Sequence, residues 1–254
     1  MPRVARLSIA PVKSLGLLHP ESITLTERGV AEDRRFFLID STGRLMDRLV
    51  IGSLVRIGAW TDPAGETLRL TFPDGAIVEG PIHTSEPIVT SMYGRRAAGH
   101  IVEGAFAEAL STFAGRPIRL VRTDEPGGTR EQHPATLVTD GSLGRLGQHL
   151  GVGAVDGRRF RMLIELEDGA AHEEDGWVGQ RVGIGDAEMR ISAPVPRCAI
   201  TTQDPDTGER DLDMLRTIIS YRGLRDDKDI DFGVWGEVDR PGEVRLADEV
   251  RLLG

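Results

Sequence analysis

The chain of 254 residues carries one cysteine, Cys198, inside Pro194-Val-Pro196-Arg197-Cys198-Ala-Ile-Thr-Thr202-Gln-Asp204-Pro-Asp-Thr-Gly208. Two prolines restrict φ just before the thiol and remove two backbone donors. A short β-type run over Cys198–Thr202 is expected next. Asp-Pro-Asp-Thr-Gly then reads as a turn: Pro sets φ, Asp and Thr bond locally, and Gly admits positive φ. This reading puts the thiol near a strand start beside Arg197. A neighbouring cation favours thiolate, the form that attacks electrophiles and binds soft metals. The competing reading of a lone cysteine is a small buried hydrophobe without chemistry.

The elements that must position this thiol are β-rich. Aromatic residues make up only 5% of the chain, whereas there are 31 glycines and 14 prolines. Turn signals recur at Ser41-Thr-Gly43, Pro73-Asp-Gly75, Pro126-Gly-Gly128, Asp156-Gly157, Asp168-Gly169 and Pro241-Gly242. Many short strands between tight turns imply a β-rich α+β, barrel-like fold. Val4, Leu7 and Ile9 open a strand that stops at Pro11, and Ile23 with Leu25 makes a second. Phe36–Ile39 is an apolar run of strand length, and Leu68, Leu70 and Phe72 alternate up to Pro-Asp-Gly, a hairpin signature. Three helices are expected: Ile101 to Phe113, a short one after Asp140-Gly-Ser142, and one from about Asp211 to Tyr221. A second strand set is expected to begin at Pro117–Val121, and Phe232–Val238 and Glu243–Leu246 are expected to close the fold. The charged run from Glu165 to Asp175 reads as a solvated loop, with metal binding at His172 as the weaker reading.

Composition excludes several function classes. A net charge of −9 argues against non-specific nucleic-acid binding and makes any local basic cluster more informative. One cysteine excludes an internal disulfide and a multi-cysteine zinc or iron–sulfur site within this sequence. The N-terminus lacks a signal-like apolar stretch and no run reaches membrane-spanning length, so a cytoplasmic protein without a membrane span is expected. No Walker A, His-Glu-x-x-His or Gly-x-Ser-x-Gly motif is present.

Four segments together resemble a family. These are Pro11-Val-Lys13-Ser14, Asp33-Arg34-Arg-Phe-Phe37, the Arg197–Gly208 stretch, and the end from Asp231-Phe-Gly233 through Gly242 to Leu253. The chain resembles MOSC-domain proteins, those carrying a molybdenum cofactor sulfurase C-terminal domain, with the MOSC N-terminal β-barrel module, and is most similar to their amidoxime-reducing branch. The resemblance implies an N-terminal module over 1–90, a helical connector over 91–116 and a MOSC domain over 117–254. It also implies a molybdenum cofactor (Mo-molybdopterin), ligated by Cys198, with Lys13, Ser14 and Arg34 at positions that hold the pterin phosphate. Thr139, Ser142 and Arg161 match further pterin contacts, and Arg197 and Thr202 flank the ligand. Thr139 and Ser142 equally suit a helix cap. Phe160-Arg161 continues Met-Leu-Ile where the family continues Pro-Asn, and Val195 stands where relatives often carry a second Cys. Asp204 is a candidate for orienting the site or relaying a proton. The implied activity is reduction of N-hydroxylated small molecules, with electrons from a separate ferredoxin- or flavoprotein-type donor. A non-redox cofactor carrier and a persulfide relay through Cys198 are the alternatives.

Overall fold

A computed structural model describes residues 1–127, 129 and 133–253. The expected turn at Pro126-Gly-Gly128 ends on a residue outside that set.

Seven strands form the larger sheet, in the order Arg3–Leu7, Ile164–Glu167, Ala135–Thr139, Asp231–Arg240, Ala187–Pro196, Arg181–Ile184 and Val250–Leu253. All neighbours are antiparallel except Ala135–Thr139 and Ile164–Glu167, which run parallel. Parallel neighbours need a crossover, and helix α2 (Asp140–Leu150) provides it. The sheet curls until its edges meet: Arg3 bridges Glu249, and Val250 N donates to the Pro2 carbonyl at 2.9 Å. Closure removes the exposed edge that an open sheet would present. Leu7, Leu137, Ile164, Ile191 and Val234 fill the interior without solvent exposure.

A second unit packs a five-stranded sheet, ordered Leu45–Met46, Phe36–Ile39, Arg119–Thr123, Arg95–Val102 and Thr84–Met92, against the three strands Gly58–Thr61, Thr67–Thr71 and Ile77–Pro81. All four residues of Phe36–Ile39 are buried, as a continuous apolar strand requires. Helix α1 (Ala105–Ala114) adds Phe106 and Leu110 to this core and stops at Gly115 with φ 65°. Among the described residues, the β-rich α+β architecture with three helices and a barrel is therefore the observed one.

Several local expectations change. Ile101 and Val102 end a strand, so α1 begins at Ala105 rather than Ile101. The stretch before it is a hairpin, turned by Tyr93 and Gly94 at φ 51° and 83°, a primed turn that matches strand twist. Arg119–Thr123 does not open the second strand set but lies between Phe36–Ile39 and Arg95–Val102. Conversely, Arg3–Leu7 and Ser22–Leu25 pair with Ile164–Glu167 and Gly242–Arg245 from the far end of the chain. Helix α3 (Met214–Arg222) begins three residues later than expected. The charged run is not wholly a solvated loop: it holds the strand Ile164–Glu167 and a 3-10 turn, Glu173–Trp177, in which Glu174 is fully buried.

Candidate functional site

A cleft opens between the two units, with Lys13, Ser14 and Arg34 on one wall and Arg161, Arg197 and Cys198 on the other. Two loops from the smaller unit form the first wall. Lys13 N donates to Phe36 O at 2.7 Å and Arg34 N to Ala10 O at 2.7 Å, so residues 10–13 run alongside 34–36. Asp33 locks them together by accepting from Ala10 N at 2.7 Å and from the Arg34 guanidinium. Arg34 reaches across to the Arg161 carbonyl at 3.3 Å, and Arg161 Nη2 reaches back to the Leu15 carbonyl at 2.9 Å. Ser14, Arg34 and Arg161 all sit in the left-handed region, with φ of 77°, 56° and 52°. Non-glycine residues adopt it at a cost, which the surrounding structure must offset.

The opposite wall carries the thiol. Cys198 is exposed just beyond the strand Ala187–Pro196. It does not start a strand, as the sequence had suggested. Ala199–Thr202 winds into a 3-10 turn, because Thr201 and Thr202 hydroxyls donate to the carbonyls of Cys198 at 3.1 Å and Ala199 at 2.6 Å. Short hydroxyl side chains compete for backbone groups in this way and divert β-type runs. Arg197 clamps the segment from the side. Its guanidinium donates to Phe232 O at 2.6 and 2.8 Å and to Phe160 O at 3.2 Å, and lies 5.2 Å above the Phe160 ring.

Two cations in the cleft retain unused donors. Arg161 Nη1 is buried without a hydrogen-bond partner; burial first, then the neighbouring Arg48 and Arg34, hold its pKa well below the usual arginine range. Arg48 is 1% exposed and its Nη1 is likewise unpartnered; burial, and then Arg159, lower its pKa to about 10. Charge repulsion and desolvation together make these groups receptive to an anion.

Comparison with known proteins gives this geometry a family. Residues 122–251 match the MOSC domain and residues 1–117 the MOSC N-terminal beta barrel domain. The chain belongs to the MOSC-domain family. It is 34% identical to mitochondrial amidoxime reducing component 2 of Homo sapiens, across 97% of this chain and 82% of that protein. Mitochondrial amidoxime-reducing component 1 of Homo sapiens is 28% identical, across 99% and 83%. Molybdenum cofactor sulfurase of Anopheles gambiae is 27% identical over 92% of this chain but only 34% of its own length.

The other sequence-selected residues of this MOSC protein lie outside the cleft wall. Thr139 caps α2 through its contact with Ser142 N, and both hydroxyls bond the Glu174 carboxylate at 2.8–2.9 Å. Thr202 closes its own turn. Asp204 organises the loop after the thiol, accepting from Asp206 N and Thr207 N at 3.0 and 2.8 Å and facing Arg159 at 3.6 Å. Burial raises its pKa, but the backbone donors outweigh that and hold the carboxyl below its ordinary value. His172 faces Tyr221 and Arg222, and among the described residues no group of three or more His, Cys, Asp or Glu could hold a metal.

Sequence reasoning missed Arg48. Its Nε donates to Gln203 Oε1 at 2.8 Å, and Gln203 Nε2 donates back to Arg48 O at 2.7 Å. This reciprocal pair joins the smaller unit to the turn that follows the thiol. The nearest sequence signal was Gln203 itself, a polar residue inside the Cys198 segment.

Proposed function

We propose that this MOSC protein holds a molybdenum–pterin cofactor in the cleft, with Cys198 as its protein ligand, and reduces N-hydroxylated small molecules. The observation that carries the reading is the meeting, in one cleft, of the exposed thiol with Lys13, Arg34 and the unpartnered buried nitrogen of Arg161. These residues fit the group. A pterin phosphate takes charged donors from Lys and Arg and a hydroxyl from Ser14. A soft thiolate suits molybdenum. The names of the relatives point the same way, one toward amidoxime reduction and one toward the molybdenum cofactor.

When bound, the cofactor supplies two-electron redox chemistry. The protein's part is positioning. Lys13, Ser14, Arg34 and Arg161 hold the anionic end, and Arg197 keeps the Cys198 turn in register through the Phe232 and Phe160 carbonyls. Asp204 is ionised at neutral pH, which favours an orienting role over proton delivery. Thr139 and Ser142 act at a distance, through the end of α2. With one cysteine in the sequence, electrons come from a separate donor protein.

The exposure of Cys198 and the sulfurase relative favour one rival, a persulfide relay. Protein from a cofactor-competent host decides between them. The reductase reading expects about one molybdenum per chain, from a single thiolate ligand. It also expects turnover of an amidoxime with a reduced viologen dye, abolished by Cys198→Ser. Protein that stays metal-free but gains a sulfane sulfur on Cys198 from a desulfurase establishes the relay. Protein that binds the cofactor without turnover of any N–O compound is a carrier.

A further inference from the structure

A second cleft of about 340 Å³ adjoins the first and shares Arg48 and Arg161 with it. Its other polar walls are His19, Arg56, Arg158 and Asp206, and Gly16, Leu17, Gly58 and Pro73 supply a less polar surface. Asp206 is matched by Arg158, which grips it with two bonds of 2.7 and 2.9 Å. That leaves three cations, Arg48, Arg56 and Arg161, without a carboxylate of their own in the cleft. Arg56 is exposed at the end of the 3-10 turn Gly52–Arg56, and its guanidinium makes no hydrogen bond or ion pair with any described residue. Arg48 has its Nε on Gln203 and its Nη2 near Asp204 O at 3.5 Å, while buried Nη1 has no partner. In a chain of net charge −9, such a concentration of unmatched positive charge runs against the overall balance. A buried guanidinium nitrogen left without an acceptor is costly, and an oxyanion removes that cost.

We propose that this second cleft is an oxyanion site that seats the acidic end of the substrate. Resting on the reductase reading, this assigns the substrates to N-oxygenated compounds that carry a carboxylate or phosphate. The acid binds against Arg48 and Arg56, and the N–O end enters the neighbouring cleft at Cys198. Leu17 and Pro73, in the same cleft, offer a less polar wall to the organic body.

Calorimetry on cofactor-free full-length protein, with inorganic phosphate and with benzoate, tests the site without needing activity. At least one of the two anions is expected to bind, and the better one names the preferred acid. Arg56→Ser, an exposed substitution, should weaken anion binding in this cleft by about tenfold, the effect of one lost charged hydrogen bond, while Lys13→Ala removes only a separate phosphate-binding event at the cofactor's own anion position and leaves the rest unchanged. In loaded protein, 4-carboxybenzamidoxime should show a lower KM than benzamidoxime. Arg56→Ser should erase that difference and leave kcat for the uncharged compound as it was. Failure of both anions to bind overturns the proposal. So does binding that responds to Lys13→Ala and not to Arg56→Ser, which places the anion in the Cys198 cleft. Anion binding that disappears on cofactor loading also overturns it, since the cofactor's own phosphate then occupies the cleft. If the anion binds as expected but neither amidoxime turns over, the site stands and the reductase reading falls.

Discussion

Ser14, Arg34 and Arg161 hold left-handed backbone on a cleft where glycine would be the easier choice. Backbone strain of this kind gathers at binding sites because the side chain is needed there. Ser14→Gly is therefore expected to stabilise the cofactor-free protein by about 0.5–1 kcal/mol, the relief of left-handed strain less glycine's added entropy. The same variant should retain less cofactor, as read by thermal melts alongside metal analysis. Lys13→Ala and Arg34→Ala should each weaken retention by roughly 1.5–3 kcal/mol through loss of a charged hydrogen bond. Circular dichroism should barely change. Wild-type retention in both variants would show that the two charges serve the fold, through Thr129 O and Asp33, and not the cofactor.

At the scale of the element, the end of α2 is a buried polar joint. The Thr139 and Ser142 hydroxyls bond Glu174, which has no solvent exposure, and the His172 backbone N–H donates to Ser142 Oγ. Thr139→Ala loses a helix cap and one donor to a buried carboxylate, so about 2–3 kcal/mol of stability should disappear, measured by denaturant unfolding. Two titrations meet here with opposite signs. Burial first, then Arg222, lowers the His172 pKa from 6.5 to about 4. The unfolded chain thus binds a proton between pH 6.5 and 4 that the folded protein does not, and stability falls on acidification through that window. Burial raises the Glu174 pKa above its ordinary 4.5, so its contribution is present below pH 4.5 and is lost as pH rises through the folded value. Melting temperatures between pH 7 and 4 should therefore decline less steeply in His172→Asn and more steeply in Glu174→Gln. Asparagine is chosen at 172 because it tolerates φ 62°.

Across the whole molecule, the two units are clasped rather than strung in sequence. The first strand closes the larger sheet, and Arg48 and Gln203 tie the units at the cleft floor. Close backbone packing repeats the tie, since a Cβ on Gly52 would lie 2.3 Å from Gly208 O and one on Gly208 2.0 Å from Gly52 O. Calorimetric unfolding should accordingly show a single transition. A fragment spanning residues 1–123 should fail to fold, because Arg3–Leu7 and Ser22–Leu25 would lose their partner strands. Two separate transitions, or a folded fragment with dispersed NMR signals, would contradict this coupling.

What the sequence determined alone was local or rested on resemblance. Turn chemistry at Asp204–Gly208 appears as read, with Asp204 Oδ1 accepting from the next two amides and Gly208 at φ 78°. Alternation over Leu68, Leu70 and Phe72, the buried run Phe36–Ile39 and the apolar faces of α1 and α2 are equally local properties. The Cys198 segment was legible as a family motif, and the MOSC match bears the family out. Only the tertiary structure decided the rest. Strand partners such as Arg3–Leu7 with Ile164–Glu167 lie far apart in sequence, and the propensity of a strand does not name its neighbour. The 3-10 turn after Cys198 depended on two hydroxyls choosing carbonyls over strand pairing. Arg48 reads as a surface charge until Gln203, 155 residues away, folds over it. Burial of a charge is a property of what packs around it, so it is settled by the assembled chain.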